Sequence, residues 1–236
     1  MAVIKSGEHV HLAQLLQFLD LGEQLAHDCA NAQVDLASDY RLKAFLAGQA
    51  KQEGRHAMAF QLAIRWLSPR AVTSPLVFPH MNQYRRLIMA AVERGDFAET
   101  LLGEQIILEG LGEAILRRME AGLARRKAPF GRLRRMLLHQ EEAHHSFGLR
   151  TLERMIAADM ISIEGLKKAA SPYVELGKSM LFAAQDAFQA IKEDPQNYWD
   201  DFQIGLPDWL QAHHRKPNLL RSTLKESRNI QPWSFM

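Results

Sequence analysis

Two segments of the chain carry the same order of side chains: Gln52-Glu53-Gly54-Arg55-His56 and Gln140-Glu141-Glu142-Ala143-His144. On an α-helix, residues three apart are separated by one turn and about 60°, so each Glu and His leave the helix from one face, as a chelate requires. Carboxylate oxygen with imidazole is a ligand set that suits iron or manganese better than copper. The same spacing occurs at Glu8/His11, which reads as accidental, and at the overlapping pair Glu142/His145. The two main pairs fall in mid-helix on apolar stripes, where an unpaired carboxylate would be costly. Burial there demands a partner.

The elements that must position these residues are helical, because apolar spacing follows the helical period nearly everywhere and no stretch alternates over a strand's length. Helix A is expected from about Gly7 to Ala32, with Leu12, Leu15, Leu16 and Leu19 as its stripe. Ser38 or Asp39 caps helix B, which passes through Glu53, His56 and Phe60 towards Trp66 and stops before Ser68-Pro69. A connection from Pro69 to Asp96 follows, holding Pro69, Pro75, Pro79 and one helical stretch from Met81 to Arg94. A link of that length can return the chain along a bundle. Helix C is expected from Phe97 to Arg126, and Pro129 suits the first turn of a helix D reaching about Met160. Ser162 or Ile163 opens another helix, interrupted around Ser171-Pro172 and continuing to Lys192. The remainder, from Asp194 to Met236, reads as short helices and a tail. No linker divides the chain, so residues 1–236 are expected to form one domain, with a core over 7–160 and additional helices over 161–236.

In an antiparallel hairpin, residues at one level are equidistant from the turn. Glu23 of helix A and Glu53 have their midpoint at Ser38, the expected cap. Glu109 of helix C and Glu141 have theirs at Arg125, next to the expected turn, whereas Glu104 places it inside helix C. Level therefore favours Glu109. Against this, Glu104 lies nearer the centre of helix C's apolar stripe and repeats the Leu-Gly-Glu-Gln of helix A. Glu113 also fits by level but lies on a more polar face. The residues alone leave the helix C position open.

Composition bounds the rest. The chain has 236 residues, 47% hydrophobic and 24% charged, which excludes a disordered chain. A formal net charge of +2 does not announce a nucleic-acid binder. The single cysteine, Cys29, excludes an intrachain disulfide framework and cysteine-based zinc or iron–sulfur sites, and a cytoplasmic location is expected. No apolar run approaches the length of a membrane span. Arg117, Arg118, Arg125, Arg126, Lys127, Arg132, Arg134 and Arg135 cluster around the expected C/D turn, with Glu120 the one acid among them. This is a solvated helix end or a dock for an acidic partner such as a ferredoxin electron donor. Phe130 is the sole aromatic residue in the cluster, which argues against nucleic-acid binding.

Four carboxylates and two imidazoles converging in a bundle form the ligand set of a carboxylate-bridged dinuclear site. At these residues the sequence resembles the ferritin-like diiron-carboxylate proteins. His144-His145-Ser146-Phe147-Gly148 is similar to the family's Glu-x-x-His-x-x-Phe-Gly ending, which selects Glu141/His144 over Glu142/His145. Gly22-Glu23-Gln24-Leu25-Ala26, Glu53-Gly54-Arg55-His56 with Phe60, and Leu101-Leu102 through Ile107-Leu108-Glu109 are similar to the metal-bearing segments of cyanobacterial aldehyde-deformylating oxygenases. The last of these places the ligand at Glu109. The resemblance covers roughly residues 20 to 150, and none extends beyond Ile161. Where that group has a Tyr one to two turns beyond the helix C ligand, Ile115 and Leu116 stand here.

The resemblance implies an all-α, ferritin-like four-helix bundle with a long B–C crossover, binding two iron ions, or a manganese–iron pair, through Glu23, Glu53, His56, Glu109, Glu141 and His144. It implies a non-haem diiron oxygenase or oxidase that uses O₂ to oxidise a small organic or acyl-type substrate. The alternatives are an aldehyde-deformylating oxygenase and a protein that oxidises and handles iron without an organic substrate. A helical binding module with structural Glu and His residues is a third class, and a monomer or dimer is expected. Gly103, Gly110 and Gly112 on helix C leave room either for substrate or for close packing. Tyr40, Tyr84, Tyr173 and Tyr198 are remote in sequence from the ligands.

Overall fold

A computed structural model describes residues 6–69, 76–128 and 130–211. The expectations at Pro75, at Pro129 and for the tail from 212 onwards lie outside the described residues. Those described are helical throughout, with no strand. A 3-10 turn, Ser6–Glu8, leads into α1, His9–Leu36. The Asp39 carboxylate accepts from the backbone N–H groups of Arg41 and Leu42 at 2.7 and 3.0 Å and so caps α2, Tyr40–Leu67. α1 and α2 form a long antiparallel hairpin that turns at Ala37 to Asp39, as the midpoint argument requires.

The crossover contains α3, Val77–Glu93, and Asp96 caps α4, Phe97–Leu101, by accepting from Glu99 N–H. Helix C is not one regular α-helix. α4 runs into a π segment, Leu102–Leu108, and then into α5, Glu109–Arg125. α6, Gly131–Ala157, completes the bundle. Among its late additions, α7, Ile163–Ala183, packs against α3 and the π segment, the short α8, Gln185–Ala190, against α1, and α9, Pro195–Gly205, against α5.

α7 corrects one expectation, since it passes through Pro172 without interruption. Proline removes a backbone donor and crowds the preceding turn. Here Pro172 is exposed, while Tyr173, Leu176, Gly177, Met180 and Leu181 bury the opposite side, so packing outweighs the local penalty. The helix then ends at Ala183, short of Lys192.

One of the three helix C glycines is explained by close packing. A β-carbon on Gly103 would lie 2.9 Å from Cε1 of Tyr173, whereas one on Gly110 would make only ordinary contact with the Phe202 ring at 3.5 Å. Tyr84 donates its hydroxyl hydrogen to the Gly103 carbonyl at 2.5 Å, and Tyr173 donates to Glu99 at 3.0 Å. These contacts bind α3 and α7 to α4 and the π segment. A β-carbon on Gly112, by contrast, would meet nothing within 4 Å.

Candidate metal centre

Six sequence-selected residues meet in the middle of the bundle. Glu23 comes from α1, Glu53 and His56 from α2, Glu109 from the start of α5, and Glu141 and His144 from α6. All are buried, and Glu53 is fully inaccessible. Their donor atoms form two groups, each lying within 4.8 Å: Glu23, Glu53, His56 and Glu141, then Glu53, Glu109, Glu141 and His144. Glu53 and Glu141 belong to both groups. None of the six is paired with an arginine among the described residues, so their burial is not that of ordinary salt bridges.

The arrangement cannot be satisfied by protons alone. His56 Nδ1 lies 2.8 Å from Glu141, 3.1 Å from Glu23 and 3.1 Å from Glu53, yet one N–H serves one acceptor well. His144 Nδ1 lies 2.7 Å from Glu53, whose two oxygens have no conventional hydrogen-bond partner. Burial would push the His56 imidazolium down, but Glu141, Glu23 and Glu53 override it and hold it far above the usual range. Burial would likewise raise Glu53, but His144 and His56 hold it far below the ordinary carboxylate range. Burial and the neighbouring Glu141 charge raise Glu23; burial and the charges of Glu141 and Glu53 raise Glu109. Four carboxylates converging on two imidazole nitrogens, with orphaned oxygens between them, fit a pair of divalent cations. Glu53 and Glu141, which occur in both groups, are the residues that would serve both cations.

The π segment brings both Glu104 and Glu109 to face the cluster. In a regular α-helix, residues five apart point about 140° away from each other. Here Glu109 N–H bonds the Glu104 carbonyl, and the widened turn stacks the two side chains. Gln49 on α2 donates its Nε2 hydrogens to Glu104 at 2.7 Å and to Glu109 at 3.2 Å. Glu104 is fully buried and raised by burial and by the Glu53 charge, and its Oε2 has no hydrogen-bond partner. Further from the cluster, Gln105 pairs reciprocally with Gln33 and donates to Gln49 at 3.2 Å. Sequence reasoning gave these glutamines no role. Their signal was the uninterrupted burial of a polar Glu-Gln pair in an apolar helix.

The remaining candidates lie elsewhere. Glu113 bonds His145 and Arg117, while Glu142 pairs with Arg117 and His139, so the Glu142/His145 register stays outside the cluster. Glu8 pairs with Arg126. His27 bonds the Ala50 carbonyl at 2.7 Å, and Cys29 is a core residue. Phe147 stacks on Phe45 with ring centroids 3.8 Å apart, and Phe45 meets the His144 ring edge-on. The charge cluster between Arg117 and Arg135 is largely matched: Arg118 pairs with Asp201, and Glu120 pairs with Arg134 and Arg135. Arg125, Lys127 and Arg132 are exposed and carry no ion pair among the described residues.

A narrow cleft between α1 and α5 reaches the cluster. Phe18, Leu19, Leu108, Leu111 and Ile115 line it, with Glu23, Glu109 and Glu141 at its inner end. Gly22 and Gly112 face it from the two helices, and neither glycine has a neighbour where a β-carbon would stand. Its free interior is about 30 Å³, room for little more than one water.

No protein-family model matches the chain, and no curated protein does. A solved structure does match: a protein with aldehyde deformylating oxidase activity from Synechococcus, at a TM-score of 0.73 and 18% identity, over 89% of this chain and 92% of that one. With its all-helical architecture and that structural likeness, the chain has the ferritin-like fold.

Proposed function

We propose that the chain is an O₂-dependent oxidoreductase that holds two iron ions and oxidises a small organic or acyl-type substrate. Glu53 and Glu141, common to both donor groups, would hold both ions, with Glu23 and His56 holding one and Glu109 and His144 the other. The same oxygen and nitrogen donors accommodate a manganese–iron pair. When bound, the ions supply redox chemistry with O₂ that no side chain can. The protein fixes the donors, excludes water and orients the substrate.

The observation that carries this reading is the apolar cleft whose inner wall contains Glu23, Glu109 and Glu141. Iron handling alone needs a polar path, whereas Phe18, Leu19, Leu111 and Ile115 offer a surface for a hydrocarbon chain. The two open glycines are where such a chain gains room, once neighbouring side chains move. Aldehyde deformylation is the finer form of the proposal, supported by the activity of the Synechococcus protein and by the cleft's apolar walls. An external electron donor is then needed, and the exposed Arg125, Lys127 and Arg132 are a surface for an acidic one.

The test is metal content per chain on protein grown with iron, followed by ferrous loading and O₂ uptake with fatty aldehydes, acyl chains and amines. About two irons per chain with substrate-dependent O₂ uptake supports the proposal. Tens of irons per chain establishes storage instead, and none sends the search to the basic turn.

A further inference from the structure

The two Gln-Glu-x-x-His segments are linked by a feature that lies outside the ligand set. His56 Nε2 lies 2.8 Å from Oε1 of Gln140, and His144 Nε2 lies 2.7 Å from Oε1 of Gln52. Each glutamine immediately precedes the shared carboxylate of its own segment, yet it reaches the histidine of the other helix. The contacts are crossed: α2 holds the imidazole of α6, and α6 holds the imidazole of α2. A side-chain carbonyl accepts and does not donate, so each Nε2 carries the hydrogen. Each Nδ1 is thereby left to face the carboxylate cluster, where it lies 2.7–3.1 Å from its nearest oxygens.

We propose that Gln52 and Gln140 are crossed positioning residues of the metal centre: Gln52 orients His144, Gln140 orients His56, and each fixes Nδ1 as the coordinating nitrogen. This rests on the reading of the six-residue cluster as a two-metal centre. A ligating histidine is oriented by whatever accepts its second N–H, and losing that acceptor typically costs 10- to 100-fold in metal affinity. The crossing adds a specific consequence. Removing Gln52 weakens the position of His144, on the other helix, and leaves that of His56, four residues along the same helix, much less affected. The acceptors are amides, so both imidazoles keep a neutral partner on their outer side.

The experiment uses the full chain loaded with Co(II), whose paramagnetism moves the exchangeable imidazole N–H resonances clear of the protein envelope. Wild-type protein is expected to bind two Co(II) and to show two such resonances, one of which contacts the Phe45 ring and belongs to His144. Gln52→Met keeps the side-chain length and removes the acceptor. It is expected to move or abolish the Phe45-linked resonance and to weaken one of the two Co(II) ions 10- to 100-fold in chelator competition. Gln140→Met is expected to do the same to the other resonance. Gln52→Glu restores an acceptor and is expected to restore affinity to within a few-fold, which a purely structural role would not require. Unchanged affinity and resonances in both Met variants of a protein that binds two Co(II) overturns the crossed assignment alone. Loss of the resonance on the same helix as the substitution also overturns it. A wild-type chain that binds no Co(II) overturns the two-metal reading and this inference together.

Discussion

Gly148 of α6 lies directly under Gln105 of the π segment: a β-carbon at position 148 would stand 2.4 Å from Cβ of Gln105. That distance is impossible without movement, and a β-carbon is not the flexible end of a side chain. The glycine that ends His-x-x-Phe-Gly is therefore a packing requirement of the π segment, one turn beyond the His144 ligand position. Gly148→Ala is expected to cost about 1–3 kcal/mol of stability through overpacking. For a chain of this size that is a fall of several degrees in melting temperature, roughly 2–4 °C per kcal/mol. Because the displaced segment carries Glu104 and leads into Glu109, metal affinity is expected to fall as well. A variant with unchanged melting temperature would show that α6 and the π segment are further apart than this structure has them.

The two donor groups share Glu53 and Glu141, and this makes the carboxylates unequal. Glu53→Ala or Glu141→Ala is expected to abolish tight binding of both ions while the protein remains helical. Glu23→Ala and Glu109→Ala are expected to retain about one ion, since each removes a donor from one group. Metal analysis after dialysis, with circular dichroism as the control, checks all four. Two ions retained in both Glu53→Ala and Glu141→Ala would count decisively against the centre.

Gly112 faces the cleft and has no neighbour where a β-carbon would stand, so a larger side chain there narrows the cleft. Gly112→Leu is expected to keep the metal content of the wild type and to reduce turnover of long-chain substrates by tenfold or more, with short ones spared. An equal loss for all chain lengths would place substrate entry elsewhere.

Protonation gives the metal-free protein an unusual pH dependence. Burial raises Glu23, Glu104 and Glu109, and the surrounding carboxylates raise His56 against the opposing effect of burial. A group whose pKa is higher folded than unfolded binds more protons in the folded state. Its stabilising effect is complete below the unfolded value and is lost as pH rises towards the folded one. Glu53, held low, works in the opposite sense, but its window lies at far more acidic pH. Between about pH 5 and 8 the three raised carboxyls therefore act together, joined by His56 above about pH 6.5, their unfolded values lying near 4.3 for Glu and 6.5 for His. Thermal melts in chelator are expected to fall in midpoint across that range, and metal loading is expected to remove the fall. Glu104→Gln is expected to flatten the slope and raise the midpoint at pH 8, since it neutralises a fully buried carboxyl.

Much of the centre was legible because chelate spacing on a helix and level matching in a hairpin are geometric consequences of regular structure. Glu23, Glu53, His56, Glu141 and His144 all lie on regular helices, and the structure brings them together as that geometry requires. Glu104 and Glu109 could not be separated, and the reason is physical. Stripe and level arguments assume a constant angle per residue, and the π segment changes that angle between the two positions. Both arguments were following correct local signals across an irregularity they could not register. Pro172 was misread for a related reason, since a local penalty is visible in sequence while the buried face that outweighs it is not. Gln52 and Gln140 stood in plain view within the repeated motif. Their roles depend on which helix each side chain reaches, and only the packed bundle decides that.

The π segment sets helical regularity against packing. It holds one residue more than an uninterrupted α-helical ladder would need between Leu101 and Glu109, with poorer hydrogen bonding as the cost. Deleting a single residue from 105–108 would let the ladder close as a regular helix without turning α5 relative to α4, because the widened turn is what absorbs the extra residue. Glu104 and Glu109 would then stand four apart, about 40° from one another, and would still share a face. What the extra residue sets is the backbone between them, which seats Gln105 against Gly148, so the bulge and the bare glycine of α6 are two halves of one fit.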